Sequence, residues 1–230
     1  RGLGLGSAKV LLARGGRVVA FSRRPSPETE RLEKESSGGF QFLPGDLSDV
    51  AGLKNLVKTV EREIGPIAGL INNAGMTVEA LLVLQSEEDI SRVIDLNLKG
   101  TLMLTREVTK HMMVRRFGRV VTISSVTGIR GYKGTVPYSS AKAGLLGMTR
   151  ALARELGGRN ITVNAVCPGY METDMVNDMN PQQLKQIVRR TPLGRAGQVE
   201  DVAGVVAFLL SDDARFISGQ TIIVDGGLTC

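Results

Sequence analysis

Histidine is nearly absent from this chain, with His111 alone, and cysteine is almost as scarce, at Cys167 and Cys230. A His-based triad or zinc site therefore has little to work with, and the two thiols lack metal-ligand spacing. Cys167 reads as packing at a strand end, Cys230 as a tail thiol and His111 as a helix side chain, with no disulfide. Aromatic residues make up only 4% of the chain, so no stacking platform for bases accompanies its net charge of +6 and pI near 9.6. The basic residues are scattered, which suits either a solvated surface or a docking patch for an acidic partner. No uncharged apolar run reaches the ~18 residues that suggest a membrane helix. No signal peptide is evident either, so the expectation is a soluble, cytoplasmic protein.

What is present suits one doubly wound α/β domain: 230 residues, 42% of them hydrophobic, are enough for one sizeable core. Arg17 to Phe21, Phe40 to Leu43, Ile67 to Ile71, Arg119 to Ser124, Ile161 to Val166 and Thr221 to Val224 read as strands. Helical segments are expected at Ala8 to Ala13, Glu28 to Ser36, Ala51 to Ile64, Ser86 to about Met113, Pro137 to Leu156 and Glu200 to Leu210.

The most informative stretch runs from Ser125 to Lys142. Pro137 suits the first turn of a helix, so Tyr138 and Lys142, four apart, lie on one face. A phenol loses its proton near pH 10, and a cation at about 4 Å favours the phenolate by on the order of 4 kcal/mol, an upper limit of roughly 3 pKa units. That brings Tyr138 into the range of a general acid. Ser125 follows a strand, where its hydroxyl can polarise a carbonyl whose oxygen takes the proton. The chemistry expected is carbonyl reduction.

Tyr-x-x-x-Lys alone is a weak signal, and its context decides. A glycine-rich start, Asn72-Asn73-Ala74-Gly75, Asn97, Ser125, Tyr138, Lys142, Pro168-Gly169 and Asp225-Gly226-Gly227 follow in order. With these motifs the chain resembles the short-chain dehydrogenase/reductase family over nearly its whole length. The resemblance implies a nicotinamide-dependent oxidoreductase on a Rossmann-type, doubly wound parallel sheet with helices on both faces, as a single domain over residues 1–230. Arg1-Gly2-Leu3-Gly4 matches the end of the family's Thr-Gly-x-x-x-Gly-x-Gly loop. The first, most central strand and the first glycine are therefore expected to be missing from these residues.

For the cofactor, helix N-terminal amides near Arg1, Gly2, Leu3 and Gly4 are expected to receive the diphosphate. Ser22 stands where an acid would hold the ribose 2′-hydroxyl, and Arg23 beside it suits a 2′-phosphate, so NADP(H) is expected. By resemblance Asp46 and Leu47 border the adenine, and Asn73, Ala74 and Gly75 lie along the ribose, although a plain turn also explains Asn-Asn-Ala-Gly. The segment Pro168, Gly169, Met171 and Thr173 resembles the seat of the nicotinamide. The resemblance gives Asn97 a helix irregularity whose carbonyl holds a water leading to Lys142, and Lys142 a grip on the nicotinamide ribose. Residues from Met175 to about Arg190 are expected to cover the site. There Met171, Met175 and Met179 suit an acyl chain or simple packing equally.

The pattern is most similar to the 3-oxoacyl-acyl-carrier-protein reductases of fatty acid biosynthesis. That implies NADPH, an acyl thioester on an acidic carrier, and a homodimer or homotetramer built through the two long helices. Arg115, Arg116, Arg119 and Arg159 are expected to form a basic rim for the carrier, or else to complement helix dipoles. An NADP-dependent alcohol or sugar dehydrogenase and a non-catalytic NADP-binding regulator remain alternatives.

Overall fold

A computed structural model of the chain describes residues 1–172 and 181–230. At its centre lie β4 (Gly118–Ile123) and β5 (Ile161–Pro168), every residue of which is buried. Val120, Val121, Ile123, Val163, Ala165 and Val166 supply the apolar contacts that a parallel strand covered on both faces requires. The order β3 (Gly69–Asn72), β4, β5, β6 (Thr221–Val224) makes one four-stranded sheet, all parallel. The other two strands, β1 (Val18–Ser22) and β2 (Phe40–Pro44), form a separate parallel pair. Among the described residues no strand lies between β1 and β3, and the expected single sheet is in two pieces.

Helices cover both faces. On one side α3 (Val50–Thr59) and α5 (Thr101–Arg115) place Leu53, Val57, Leu104 and Val108 against Val120, Ile161 and Val163. On the other, α9 (Val199–Leu210) sets Val202, Val206 and Leu209 against Val121, Ile123 and Val166. The opening helix α1 (Gly2–Ala13) packs along α9. Its glycines lie inside the helix from Gly2 onward, where a loop ahead of Ala8 was expected. The reason is packing: a Cβ at Gly6 would collide with the Val199 side chain, so the small residue lets the helices approach and outweighs its poor propensity.

Local signals set several other boundaries. Ser26 and Thr29 form a reciprocal cap for α2 (Pro27–Glu35), and the Ser86 hydroxyl accepts from the Asp89 amide at 3.0 Å to start α4 (Glu87–Ile94). The long helix expected across Asn97 is α4 and α5 joined by a π-helical turn, Asp95–Gly100. After β4 come the short α6 (Thr127–Arg130) and α7 (Val136–Leu156), with Pro137 in its first turn. Leu146, Met148 and Leu156 of α7 are buried, while Ala143, expected on the same stripe, is exposed. Helix α8 (Pro181–Arg190) precedes the turn into α9. Among the described residues no helix is long and apolar enough to cross a membrane, and no cluster of His, Cys, Asp and Glu could hold a metal.

Candidate active site

Parallel strands end on the same side, so the segments that follow β3, β4 and β5 converge there. Ser125 follows β4, Tyr138 and Lys142 sit on the first turns of α7, and Asn97 sits in the π turn. Contacts tie these together. The Lys142 ammonium donates to the Ile123 carbonyl at 2.8 Å and lies 5.6 Å from the centroid of the Tyr138 ring. The Ser124 hydroxyl donates to the Lys142 carbonyl at 2.8 Å, clamping α7 to the end of β4. Ser125 Oγ accepts from the Thr127 amide at 3.1 Å and the Thr127 hydroxyl at 3.0 Å, which orients it at the start of α6.

Asn97 is fully buried and binds the loop after β3. Its Oδ1 accepts from the Met76 amide at 3.1 Å, and its Nδ2 donates to the carbonyls of Met76 and Val93, each at 2.8 Å. Gly75 is the close approach in this knot. A Cβ there would lie 2.7 Å from Asn97 Oδ1 and 3.4 Å from Lys142 Nζ. The Asn97 carbonyl, expected to hold a water, accepts the Thr101 hydroxyl at 2.9 Å.

Electrostatics correct one expectation. Burial raises the Tyr138 phenol above its ordinary value, with the Ser125 hydroxyl pulling the other way, and Lys142 is not what lowers it here. Lys142 itself, buried with no carboxylate paired to it among the described residues, is lowered to about 8 by desolvation. Beneath both lies Cys167, a free buried thiol at the end of β5 as expected, its pKa raised by burial. Cys230 is free and exposed.

Some of the expected cofactor residues share one space. Arg1, Gly4, Ser22, Leu47, Asn73 and Ala74 line a single cavity of about 880 Å³. A Cβ on Gly4 would sit 2.7 Å from Asn73 Nδ2, so the α1 terminus and the loop after β3 are in contact. No side chain caps the first turn of α1, whose amides face outward. The Leu3 and Leu47 side chains belong to the core, which leaves only their backbone for a ligand. Arg23 is exposed, and the Asp46 carboxyl is held below its usual range by the Ser48 hydroxyl and amide, with Arg23 assisting. On the far side, a Cβ on Gly169 would lie 2.8 Å from the Asp225 side chain. Pro168 ends β5 against Val224. Met171 bridges Gly197 through the groups of Tyr170 and Glu172, which turns its own N–H and C=O away from that bridge. Thr173, Met175 and Met179 lie outside the described residues, as does the first part of the expected cover.

Several contributors carry no signal in the sequence: Ser124, Thr127 and Met76, and the Tyr132–Tyr170 pair. These two rings meet edge to face at 6.2 Å and join the loops after β4 and β5, and burial raises the Tyr170 phenol. The arginine rim is not assembled beside the catalytic set. Arg115, Arg116 and Arg159 precede β4 and β5, and Arg119 stands at the start of β4, so all four lie at the opposite end of the sheet. Arg119 is 3% exposed, and Arg115 is paired with Glu61 at 2.6 Å. Arg116 reaches the Gly158 carbonyl at 3.2 Å, beside Arg159. His111 is an α5 side chain near Glu61, as expected.

A family profile described as Enoyl-(Acyl carrier protein) reductase matches residues 1–229. The chain belongs to the short-chain dehydrogenase/reductase family. That membership makes it an oxidoreductase fold with a nicotinamide cofactor. The relatives include the 3-oxoacyl-[acyl-carrier-protein] reductase FabG of Thermotoga maritima, 42% identical over 98% of this chain and 93% of that protein. FabG of Escherichia coli K12 is 37% identical over 99% of this chain and 93% of its own length. Among solved structures, a putative gluconate dehydrogenase from Agrobacterium tumefaciens superposes with a TM-score of 0.96 at 31% identity, covering 100% of this chain and 93% of that one.

Proposed function

We propose that this short-chain reductase reduces the β-keto group of a 3-oxoacyl thioester with NADPH. The observation that carries the reading is the convergence of Ser125, Tyr138, Lys142 and Asn97 at one end of the sheet, in a chain whose curated relatives are 3-oxoacyl-[acyl-carrier-protein] reductases. The residues present fit a nicotinamide dinucleotide. Gly4 and Gly75 keep side chains out of close approaches, and the first amides of α1 lack a side-chain cap.

Arg1, Gly2, Leu3 and Gly4 hold the diphosphate through backbone amides, and Ser22 with Arg23 takes the 2′-phosphate, since no carboxylate follows β1 to repel it. Asp46 and the Leu47 backbone border the adenine, and Asn73, Ala74 and Gly75 the ribose. Pro168, Gly169 and the Met171 peptide groups seat the carboxamide, with Thr173 on the phosphate side. Bound there, NADPH supplies hydride to the ketone carbon. Ser125 Oγ orients the carbonyl by donating to its oxygen. Tyr138 Oη delivers the proton to that oxygen, and its raised pKa keeps the proton in place until charge develops. Lys142 grips the nicotinamide ribose and, drawn from the Ile123 carbonyl, steadies the phenolate left behind. The Asn97 carbonyl holds the water that reprotonates it.

The working unit is one NADP-binding domain over residues 1–230, assembled as a homodimer or homotetramer. Exposed Leu102, Met113 and Val114 on α5 support self-association. Arg116 and Arg159, neighbours at the far end of the sheet, suit an acidic acyl carrier protein. NADPH consumption with an acetoacetyl thioester tests the activity. Turnover that requires Tyr138, and that prefers NADPH to NADH until Arg23→Glu, is the expected result. The gluconate dehydrogenase neighbour favours a second substrate class, a sugar acid or alcohol, checked by NADP⁺ reduction with gluconate in the same assay. NADPH binding with no turnover on either substrate marks a regulator.

A further inference from the structure

The loops after β3, β4 and β5 are tied together on one side of the catalytic set. Gln85 is the main strut. Its Nε2 donates to the carbonyls of Val78 at 3.3 Å and Ala80 at 2.9 Å in the loop after β3, and to that of Gly134 at 3.4 Å in the loop after β4. The Ala80 amide donates to the same Gly134 carbonyl at 3.0 Å. The Tyr132 carbonyl in turn accepts from the Thr135 hydroxyl at 2.9 Å, and the Thr135 carbonyl accepts from the Ser139 amide at 2.7 Å. These bonds fix the Tyr132 loop to the first turn of α7, beside Tyr138. Across from it, the Tyr170 carbonyl accepts from the Gly197 amide at 2.8 Å, which anchors the loop after β5 to the turn ahead of α9.

From these fixed backbones Glu79, Tyr132 and Tyr170 meet, one from each loop. The two rings stand edge to face with centroids 6.2 Å apart, and their hydroxyls share a hydrogen bond. Burial, Tyr132 and the Glu79 carboxylate together keep the Tyr170 hydroxyl protonated. Glu79 itself is exposed. Arg130 and Lys133 lie on the Tyr132 loop, but Arg130 is held by the Thr229 carbonyl, and the carboxylate acting on the ring pair is that of Glu79. Leu81, Ile129 and Val136 on the same loops are 48%, 43% and 43% exposed. The corner therefore offers aromatic and aliphatic surface, a hydroxyl pair bonded to itself and one negative charge. Such a corner suits an uncharged, apolar group. A carboxylate placed there needs free donors and meets Coulomb repulsion instead.

We propose that Glu79, Tyr132 and Tyr170 are specificity-determining residues, which seat the alkyl tail of the 3-oxoacyl substrate and reject a tail that ends in a carboxylate. Size decides which end of the substrate lies here. Because the loops are cross-tied, this flank of the cleft is closed to a protein, so the carrier-bound thioester leads away from it and the free end lies within it. Held there, the tail aligns the ketone with Ser125 Oγ and Tyr138 Oη, since Thr135 joins the Tyr132 loop to the turn that carries Tyr138. A sugar acid brings the wrong charge to this corner, so of the two substrate classes above the acyl thioester is favoured. This role rests on the reductase reading and adds to it the chemistry of the tail.

The test uses a matched pair of N-acetylcysteamine thioesters, 3-oxohexanoyl and 3-oxoadipyl, which differ at the far end as methyl against carboxylate. NADPH consumption follows both. The parent should favour the neutral thioester by at least about 100-fold in kcat/KM. Glu79→Gln should narrow that ratio by at least about 10-fold, and Glu79→Lys by more. Glu87→Gln, the same change of net charge at an exposed position on α4, should leave it alone. Raising salt from about 0.05 to about 0.5 M should narrow the parent's ratio further than that of Glu79→Gln. Tyr132→Ala should raise KM for the 3-oxohexanoyl thioester by about fivefold or more, with NADPH affinity unchanged. A parent that reduces both thioesters equally well overturns the proposal, as does an unchanged ratio in Glu79→Gln or an equal change in Glu87→Gln. An unchanged KM in Tyr132→Ala removes the rings from the role. If no version reduces either thioester, the reductase reading fails and this role with it. Failure of the ratio in an enzyme that does reduce the neutral thioester overturns this role alone.

Discussion

The two ends of the four-stranded sheet handle buried cations in opposite ways. At the end where the strands finish, Lys142 is 3% exposed and, among the described residues, donates to the neutral Ile123 carbonyl, so its charge is expensive and its pKa falls to about 8. At the end where they start, Arg119 is equally buried, yet it donates to two carbonyls, leans on the Phe117 ring at 4.6 Å and reaches Asp212 at 3.4 Å. Arg115 nearby has a full carboxylate in Glu61. The lesson is that charge at one end is neutralised for stability, while at the other it is held poorly compensated among groups that must change protonation. Poor compensation at a cleft is a mark of function.

The sharpest way to break this contrast is to remove the proton donor. Tyr138→Phe should cut reduction by roughly 1,000-fold, about 4 kcal/mol on the barrier, with NADPH affinity little changed. Steady-state rates beside a fluorescence titration check it, and a residual rate within a factor of ten of the parent would remove Tyr138 from the chemistry. Next in size is Gly75→Ala. The added methyl meets Asn97 Oδ1 at 2.7 Å, and Asn97 cannot retreat because Met76 and Val93 hold it. Overpacking of this kind should cost about 2 to 3 kcal/mol in urea unfolding and lower activity by tenfold or more.

How much of each end was legible in the sequence follows from the range of the interactions. Pro137, Tyr138 and Lys142 fall within one helical turn or so, and local propensity suffices to stack them on α7. The resemblance gave Asn97 a helix irregularity, and a π turn stands at that position. Arg119 misled, because in sequence it adjoins Arg115 and Arg116 and looks like part of a surface cluster. It was also read as the start of a strand, and pairing with Gly69 and Thr162 buries it there, away from any surface rim. The grip of Asn97 on Met76 and the Tyr132–Tyr170 contact join segments remote in the chain, which no periodicity reports. The glycines of α1 were read as a loop because they match the end of the family's glycine-rich loop, and the missing information was the close approach of α9.

Lys142→Met sharpens the contrast through pH. The folded pKa, about 8, lies below the ordinary 10.5, so the folded state holds fewer protons than the unfolded state between these values. Stability of the parent should therefore rise with pH across that window, the penalty being fully present below pH 8. The methionine variant lacks the penalty but strands the Ile123 carbonyl, so it should be more stable by roughly 2 kcal/mol at neutral pH, and less so above pH 10. Thermal melts of both proteins across this range measure the gap. A gap that does not change with pH would show that Lys142 is compensated after all. Activity should be lost at every pH.

Glu61→Gln probes the opposite end and should do least. Burial pushes the Glu61 carboxyl up, but Arg115, the Ile67 amide and His111 together hold it below the ordinary 4.5. A depressed carboxylate contributes stability above its ordinary pKa and loses it as pH falls through the folded value. Glutamine keeps the shape and one acceptor while removing the charge, so it should cost about 1 kcal/mol or less at neutral pH, and nothing once Glu61 is protonated near pH 3. NADPH turnover should be unchanged, because Glu61 and Arg115 lie at the end of the sheet remote from Tyr138. Urea midpoints at the two pH values give the first quantity and the standard assay the second. A large loss of activity with small loss of stability would mean that the charged end also serves the reaction.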